Sequence, residues 1–172
     1  MAQFDNSALQ EQLRYIRTLP IHQLQELLAS EIPDERLPLT YLNTLTEDDR
    51  TVSHRLILLT WTVTAKEQIP RELQLRASLA TYRGFDSIID AGTGSGKTLS
   101  IVLSLLLDDP RDYFVSITIS PLKRLQISQE SDFNNKYRIP TVAINEDTPH
   151  DEAYWNVSTL SRIQRPCRFD YF

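Results

Sequence analysis

All four glycines of this 172-residue chain fall between Gly84 and Gly96. Glycine lets the backbone adopt φ > 0 and come close to a ligand, so this freedom is concentrated in one place. The surrounding stretch reads Ser87-Ile88-Ile89-Asp90-Ala91-Gly92-Thr93-Gly94-Ser95-Gly96-Lys97-Thr98. It has the pattern of a short apolar strand, a glycine-rich loop and the start of a helix. Such a loop turns successive N–H groups inward with the positive end of a helix dipole behind them, the arrangement that cradles a phosphate.

Composition narrows the class. Apolar residues make up 41% of the chain and charged residues 24%, enough for a core and typical of a water-exposed surface. No apolar run approaches the roughly 18 residues of a membrane span. The start, Met1-Ala2-Gln3-Phe4-Asp5, lacks the basic-then-apolar layout of a secretory signal. A single cysteine, Cys167, excludes an internal disulfide framework and a cysteine-based zinc site. The expectation is an intracellular protein, nuclear if eukaryotic, with no membrane partner. A net charge of −5 gives no chain-wide footprint for nucleic acid, although a local basic groove would suffice.

Residues 1–68 read as an all-helical N-terminal segment. Leu9, Leu13 and Ile16 share one helical face, and Ile21, Leu24, Leu27 and Leu28 share another after Pro20. Glu31 to Leu45, with Pro33 and Pro38, reads as a connector. A third helix starts at Thr46, with Asp49 as a variant of the capping box and Val52, Leu56, Leu59 and Val63 as its stripe. These helices either pack on the next domain or dock a protein partner. His22 and His54 stand without neighbouring ligands and are not expected to hold a metal.

From Pro70 the texture becomes alternating helix and strand. A helix runs from Pro70 to Tyr82 and stops at Gly84. The expected order is then strand Ser87–Asp90, a helix from about Lys97 to Leu107, strand Tyr113–Ile119, a helix from Pro121 to about Phe133, and strand Thr141–Asn145. Strands separated by helices imply right-handed βαβ units, so the predicted fold class is α/β with a parallel sheet. From Asn156 the periodicity disappears.

The loop Ala91-Gly92-Thr93-Gly94-Ser95-Gly96-Lys97-Thr98 follows the phosphate-binding pattern G-x-x-x-x-G-K-[ST], with alanine in the first position. Gly92, Gly94 and Gly96 let backbone wrap a β-phosphate, alongside Thr93 and Ser95. Lys97 supplies positive charge to the β- and γ-phosphates, and the Thr98 hydroxyl is a candidate ligand for Mg²⁺. Nucleotide binding, with ATP and Mg²⁺, is the expectation.

From Ile69 to Trp155 the chain resembles the superfamily 2 DEAD/DEAH-box helicases, most closely the RecQ-like DNA helicases. The loop resembles their motif I. Upstream, Pro70-Arg71-Glu72-Leu73-Gln74 resembles the motif with an adenine-reading glutamine, and Lys97 lies 23 positions after Gln74. Downstream, Ser120-Pro121-Leu122-Lys123-Arg124-Leu125 with Gln129 resembles motif Ia, and Thr141–Asp147 resembles motif Ib. The resemblance implies the N-terminal part of a first RecA-like lobe that acts on single-stranded or duplex DNA. A glutamine amide, with donor and acceptor, matches adenine N6–H₂ and N7, although Gln74 also fits a surface position on a helix. Ser120 and Pro121 suit a helix start whose N–H groups, with Lys123 and Arg124, would grip a nucleic-acid phosphate; an ordinary capped helix with a solvated basic pair fits the same residues.

Hydrolysis in this family needs a carboxylate pair after an apolar strand and an arginine from a second lobe. Asp151-Glu152-Ala153-Tyr154 resembles an acidic box superficially but follows Thr148-Pro149-His150 instead of a strand. Glu146 and Asp147 follow the short apolar run Thr141–Ile144 and are the other candidate acids. The reading is therefore a helicase fragment that does not unwind, with 1–68 a helical extension, 69–156 an incomplete ATP-binding domain and 157–172 an unmatched, disordered tail carrying Arg162, Arg165, Cys167 and Arg168. The alternatives are a P-loop small-molecule kinase or phosphotransferase and a non-catalytic interaction fragment.

Overall fold

Leu56, Ile57, Leu58, Leu59 and Thr60 are consecutive, and each is at most 1% exposed. Neighbours in a helix point about 100° apart, so burial of five in a row requires packing on every side. The computed structural model describes residues 6–92, 94–109 and 116–148. The chain divides into two units, Met1–Asp109 and Pro110–Phe172.

In the first unit the order is α1 (Asn6–Thr18), α2 (Ile21–Glu31), a 3₁₀ turn (Asp34–Arg36), α3 (Leu39–Leu42), α4 (Glu47–Val63), α5 (Glu72–Tyr82) and α6 (Lys97–Leu107). Helix α4 is the axis, with α1, α2, α5 and α6 packed around it. The four-residue stripe expected for it underestimates its burial, because Ser53, Ile57, Leu58, Thr60 and Trp61 are buried as well. Thr60 meets this environment by donating its hydroxyl to the Leu56 carbonyl at 2.8 Å. Truncating Leu56, Ile57 or Leu59 to alanine would cost about 2–5 kcal/mol through lost burial and the cavity left behind.

The ends of α4 and α5 are set locally. Thr46 caps α4, accepting the Asp49 N–H at 3.2 Å while its hydroxyl donates to the Asp49 carboxylate at 3.1 Å. Helix α5 ends in a Schellman motif at Gly84 (φ +76°), where Phe85 N–H reaches the Ala80 carbonyl and Gly84 N–H the Thr81 carbonyl, both at 2.9 Å. Arginine side chains serve carbonyls at or just beyond other helix ends. Arg17 donates to the Leu106 carbonyl at the end of α6 at 2.9 Å. Arg50 reaches the Leu42 and Leu45 carbonyls at 3.1 and 3.0 Å.

In the second unit α7 spans Lys123–Asn135, with Phe133 buried beneath it. Asn134 holds the returning chain by its amide: Nδ2 donates to the Thr141 carbonyl at 2.8 Å and Oδ1 accepts the Thr141 N–H at 3.1 Å. A turn follows at Asn145–Thr148, closed by Thr148 N–H to the Asn145 carbonyl at 3.0 Å.

The expected parallel sheet is absent: among the described residues there is no strand. Ser87–Asp90 and Thr141–Asn145 carry no ladder, nor does the described part of Tyr113–Ile119, of which residues 113–115 lie outside the description. Ile88 is 100% exposed, Ile119 91% and Ile144 57%. Their β-branched composition favours extended backbone, but a strand also needs a neighbour's N–H and C=O groups. Within each unit no described segment supplies them. The tail 157–172 also lies outside the described residues. No described helix is long and apolar enough to cross a membrane.

Candidate phosphate-binding site

The glycine-rich loop leads directly into α6, and its backbone explains two of its glycines. Gly94 has φ +82° and Gly96 φ +80°, both in the left-handed region that side chains disfavour. Gly96 is the N-cap of α6 and offers no side-chain cap to the helix. Leu99 N–H closes on the Gly96 carbonyl at 3.0 Å, and the donors ahead of it receive no N-cap side chain, with the positive end of the helix dipole behind them. Gly92 has an ordinary φ, and a Cβ placed there meets nothing within 4 Å. That position faces open space.

Lys97 curls back over the loop that precedes it. Its ammonium donates to the Ala91 carbonyl and, at 3.1 Å, to the Gly92 carbonyl. The loop closes on itself through Ser95 N–H to the Gly92 carbonyl at 3.3 Å. The Ser95 hydroxyl is buried without a hydrogen-bond partner among the described residues. Thr98 is half-buried in the first turn of α6, and Thr93 lies outside the described residues. The glycine conformations, the uncapped helix start and the ammonium form a donor set that suits a polyphosphate. If a nucleotide bound here, Lys97 would exchange its two carbonyls for phosphate oxygens, and the Thr98 hydroxyl would be a candidate ligand for Mg²⁺.

Gln74 sits beneath this loop and is 5% exposed. Its Oε1 accepts the Arg71 N–H at 2.8 Å, and its Nε2 donates to the Gly96 carbonyl at 3.0 Å. One turn further along each helix, the Ser78 hydroxyl lies between two acceptors, the Gln74 carbonyl at 2.9 Å and the Ser100 carbonyl at 3.1 Å, and shares its single proton between them. Sequence reasoning missed Ser78 entirely. The signal was the recurrence of a polar residue four positions after Gln74, on the same face of α5.

The second unit holds the residues matched to nucleic-acid contacts. The expected helix start at Ser120 and Pro121 is shifted: α7 begins at Lys123 with Leu122 as N-cap and no side-chain cap. Ser120 instead presents its carbonyl to Gln126 Nε2 at 2.6 Å. Arg124 is exposed on the first turn. The Lys123 ammonium pairs with Asp147, and with Glu146 at 3.5 Å. The hydrogen bond to Asp147, followed by the charges of Asp147 and Glu146, holds Lys123 above its ordinary pKa. Both candidate acids thus face an ammonium. Among the described residues no cluster of three or more His, Cys, Asp or Glu side chains is placed to hold a metal ion. Asp151 and Glu152 lie outside the described residues.

Comparison with curated proteins and with solved structures finds no match. The family model for the DEAD/DEAH box helicase matches residues 71–163, which is just over half of the 172-residue chain. The match takes in Gln74, the whole phosphate loop and the basic start of α7, in a family whose members use ATP with Mg²⁺ and bind nucleic acid. Through residues 71–163, this chain belongs to the DEAD/DEAH box helicase family.

Proposed function

We propose that the chain binds ATP·Mg²⁺ through Gly92–Thr98 and DNA through the start of α7, as part of a RecQ-like DNA helicase. The carrying observation is the loop itself. Gly94 and Gly96 are both left-handed ahead of an uncapped helix, with the Lys97 ammonium held over the same loop. A polyphosphate is the ligand that uses all three. The RecQ-like refinement rests on sequence: Lys97 follows Gln74 by 23 positions, and Ser120-Pro121-Leu122 with Gln129 resembles motif Ia of that branch. In this reading Lys123 and Arg124 supply phosphate contacts, which position a nucleic acid without reading its sequence.

The test is equilibrium titration of the purified chain with ATP in the presence and absence of Mg²⁺, beside Lys97→Ala. Binding by the wild type that Lys97→Ala abolishes, with the helical circular dichroism unchanged, supports the reading. A wild type that ignores millimolar ATP sinks it. Titration with single-stranded DNA and with RNA of the same sequence addresses the refinement, which predicts the tighter complex with DNA.

A further inference from the structure

The two helices that flank the phosphate loop are short. Helices α5 and α6 have 11 residues each, and an isolated helix of fewer than about 12–15 residues is marginal in water. Their order therefore comes from packing. Besides each other, the element that both pack on is α4, which lies outside the residues matched to the family. Helix α6 buries Leu99, Val102, Leu103 and Leu106. Three side-chain contacts tie the same parts together. Arg17 of α1 donates to the Leu106 carbonyl in the last turn of α6 at 2.9 Å. Asp49, in the first turn of α4, pairs with Arg83 at the C-cap of α5 at 2.7 Å. The Arg76 guanidinium of α5 lies 4.7 Å from the centre of the Tyr41 ring on α3. The link from α4 to α5 is also tied down, with Gln68 N–H on the Thr64 hydroxyl at 3.1 Å and Pro70 buried. Boundaries between separable domains fall instead in exposed, flexible segments that few contacts cross.

We infer that the N-terminal helices and the phosphate loop fold and unfold in one shared equilibrium, so that a nucleotide held by the loop is felt throughout α1–α4. The ligand in this inference rests on the nucleotide-binding reading above. A ligand shifts an equilibrium only by its different affinity for the two states. A triphosphate meets the glycine turn and the helix start together only while α6 is formed, and α6 is formed only while α4 supports it. Such coupling is reciprocal. Residues 6–63 are thereby a regulatory handle: a protein partner or a covalent change that loosens α1 or α2 weakens the loop's hold on its nucleotide without touching the loop.

The experiment is amide hydrogen exchange on the full-length chain, with and without ATP·Mg²⁺ at about 100 times its Kd. Exchange at 52–60 in α4 and 13–16 in α1 should slow by the same factor as at 99–106, about a hundredfold. Slowing confined to 97–107 overturns the inference. A second arm needs no ligand. Leu24→Ala removes a fully buried side chain from α2, which packs on α4. Protection at 99–106 should fall by the same factor as at 52–60, and unchanged protection at 99–106 overturns the shared equilibrium. Leu24→Val makes the same comparison at smaller cost if Leu24→Ala does not fold. In urea that leaves about half of Leu24→Val folded, its apparent Kd for ATP should be about twice that of its folded form, and an unchanged Kd overturns the regulatory handle. A wild type that binds no ATP defeats the nucleotide reading, while the ligand-free arm still decides whether the N-terminal helices and α6 unfold together.

Discussion

Arg55, in the middle of α4, donates through Nη2 to the carbonyl of Leu19 at 3.0 Å, just beyond the last turn of α1. Its Nε reaches the Ile16 carbonyl at 3.3 Å. The final carbonyls of a helix have no partner of their own, and a planar guanidinium can serve two of them at once while placing positive charge at the negative end of the dipole. Ile16 and Leu19 are both buried, so these carbonyls have little access to water. Arg55→Met should lower the unfolding free energy by about 2–3 kcal/mol in urea titration, as expected for hydrogen bonds from a charged donor. Arg55→Lys, with one compact donor in place of a fork, should recover less than half of that loss. A neutral effect of Arg55→Met would mean the contacts are incidental.

The C-terminus of α4 stores a correctable strain. Ala65 (φ +51°) and Lys66 (φ +69°) both occupy the left-handed region, where Lys66 N–H bonds the Trp61 carbonyl at 2.7 Å and Ala65 N–H the Thr62 carbonyl at 3.2 Å. This is the geometry that glycine adopts without cost at the residue after a C-cap. Ala65 is exposed and its methyl packs on little, whereas Lys66 carries an ion pair to Glu31 at 2.5 Å. Ala65→Gly should therefore stabilise the chain by about 0.5–1 kcal/mol, net of the greater freedom glycine gains in the unfolded state. Differential scanning calorimetry should show a rise of a few degrees in Tm. Lys66→Gly should gain less, because it also removes the partner of Glu31.

What could be read in advance follows the range of the interaction. Thr46 with Asp49, Gly84 after Tyr82, and Gly96-Lys97 at the start of α6 are contacts within a few residues, and each helix boundary lies where those residues put it. The stretches around Ile88, Ile119 and Ile144 have strand composition, but pairing belongs to two segments at once and one segment cannot announce its partner. The burial of α4 was underestimated for a related reason. Leu56-Ile57-Leu58-Leu59 is apolar on all faces, and a search for one stripe finds one in any such run. Gln74 shows the limit most clearly. Its local partner, Arg71, is a matter of helix capping, while the Gly96 carbonyl lies 22 residues away and becomes a partner only after α5 and α6 have packed.

His54 gives the first unit a pH dependence with a definite sign. It lines a cavity of about 260 Å³ together with Asp34, Arg50, Asn43 and several leucines, and its Nδ1 is buried without a partner among the described residues. Burial, and then the nearby charge of Arg50, push its pKa below the ordinary value of 6.5. The folded state thus prefers neutral histidine, and below about pH 6.5 the unfolded chain binds a proton that the folded chain refuses. Stability should be full above that pH and fall as the pH drops toward the folded pKa, by at most about 1.4 kcal/mol per unit for this one group. Glu31, whose carboxyl is held low chiefly by its hydrogen bond to Lys66, contributes stability that is lost only further down, below its ordinary 4.5. Urea titrations at pH 7.5 and 5.5 should therefore show a loss in wild type that His54→Gln largely removes. An equal loss in the variant would assign the effect to other groups.

In the second unit, the same ammonium that would grip a nucleic-acid phosphate is occupied by the Asn145–Thr148 turn. Lys123 pairs with Asp147 and Glu146, and the turn presenting them is fixed by Asp147 N–H to Asn145 Oδ1 at 3.0 Å and by Asn145 N–H to the Thr148 hydroxyl at 2.9 Å. A phosphate approaching Lys123 must compete with two carboxylates, whereas Arg124 beside it on α7 is exposed. Both acids are largely exposed, so the competition is weak in energy and screened by salt. Asp147→Asn combined with Glu146→Gln should raise affinity for single-stranded DNA about three- to tenfold at low salt, with the gain shrinking as salt is added, since each freed cation adds a phosphate contact. Lys123→Ala in the same background should abolish the gain, and fluorescence anisotropy at two salt concentrations would measure both effects. If the double variant binds DNA no better than wild type, Lys123 is a partner of the turn alone and the phosphate contact passes to Arg124.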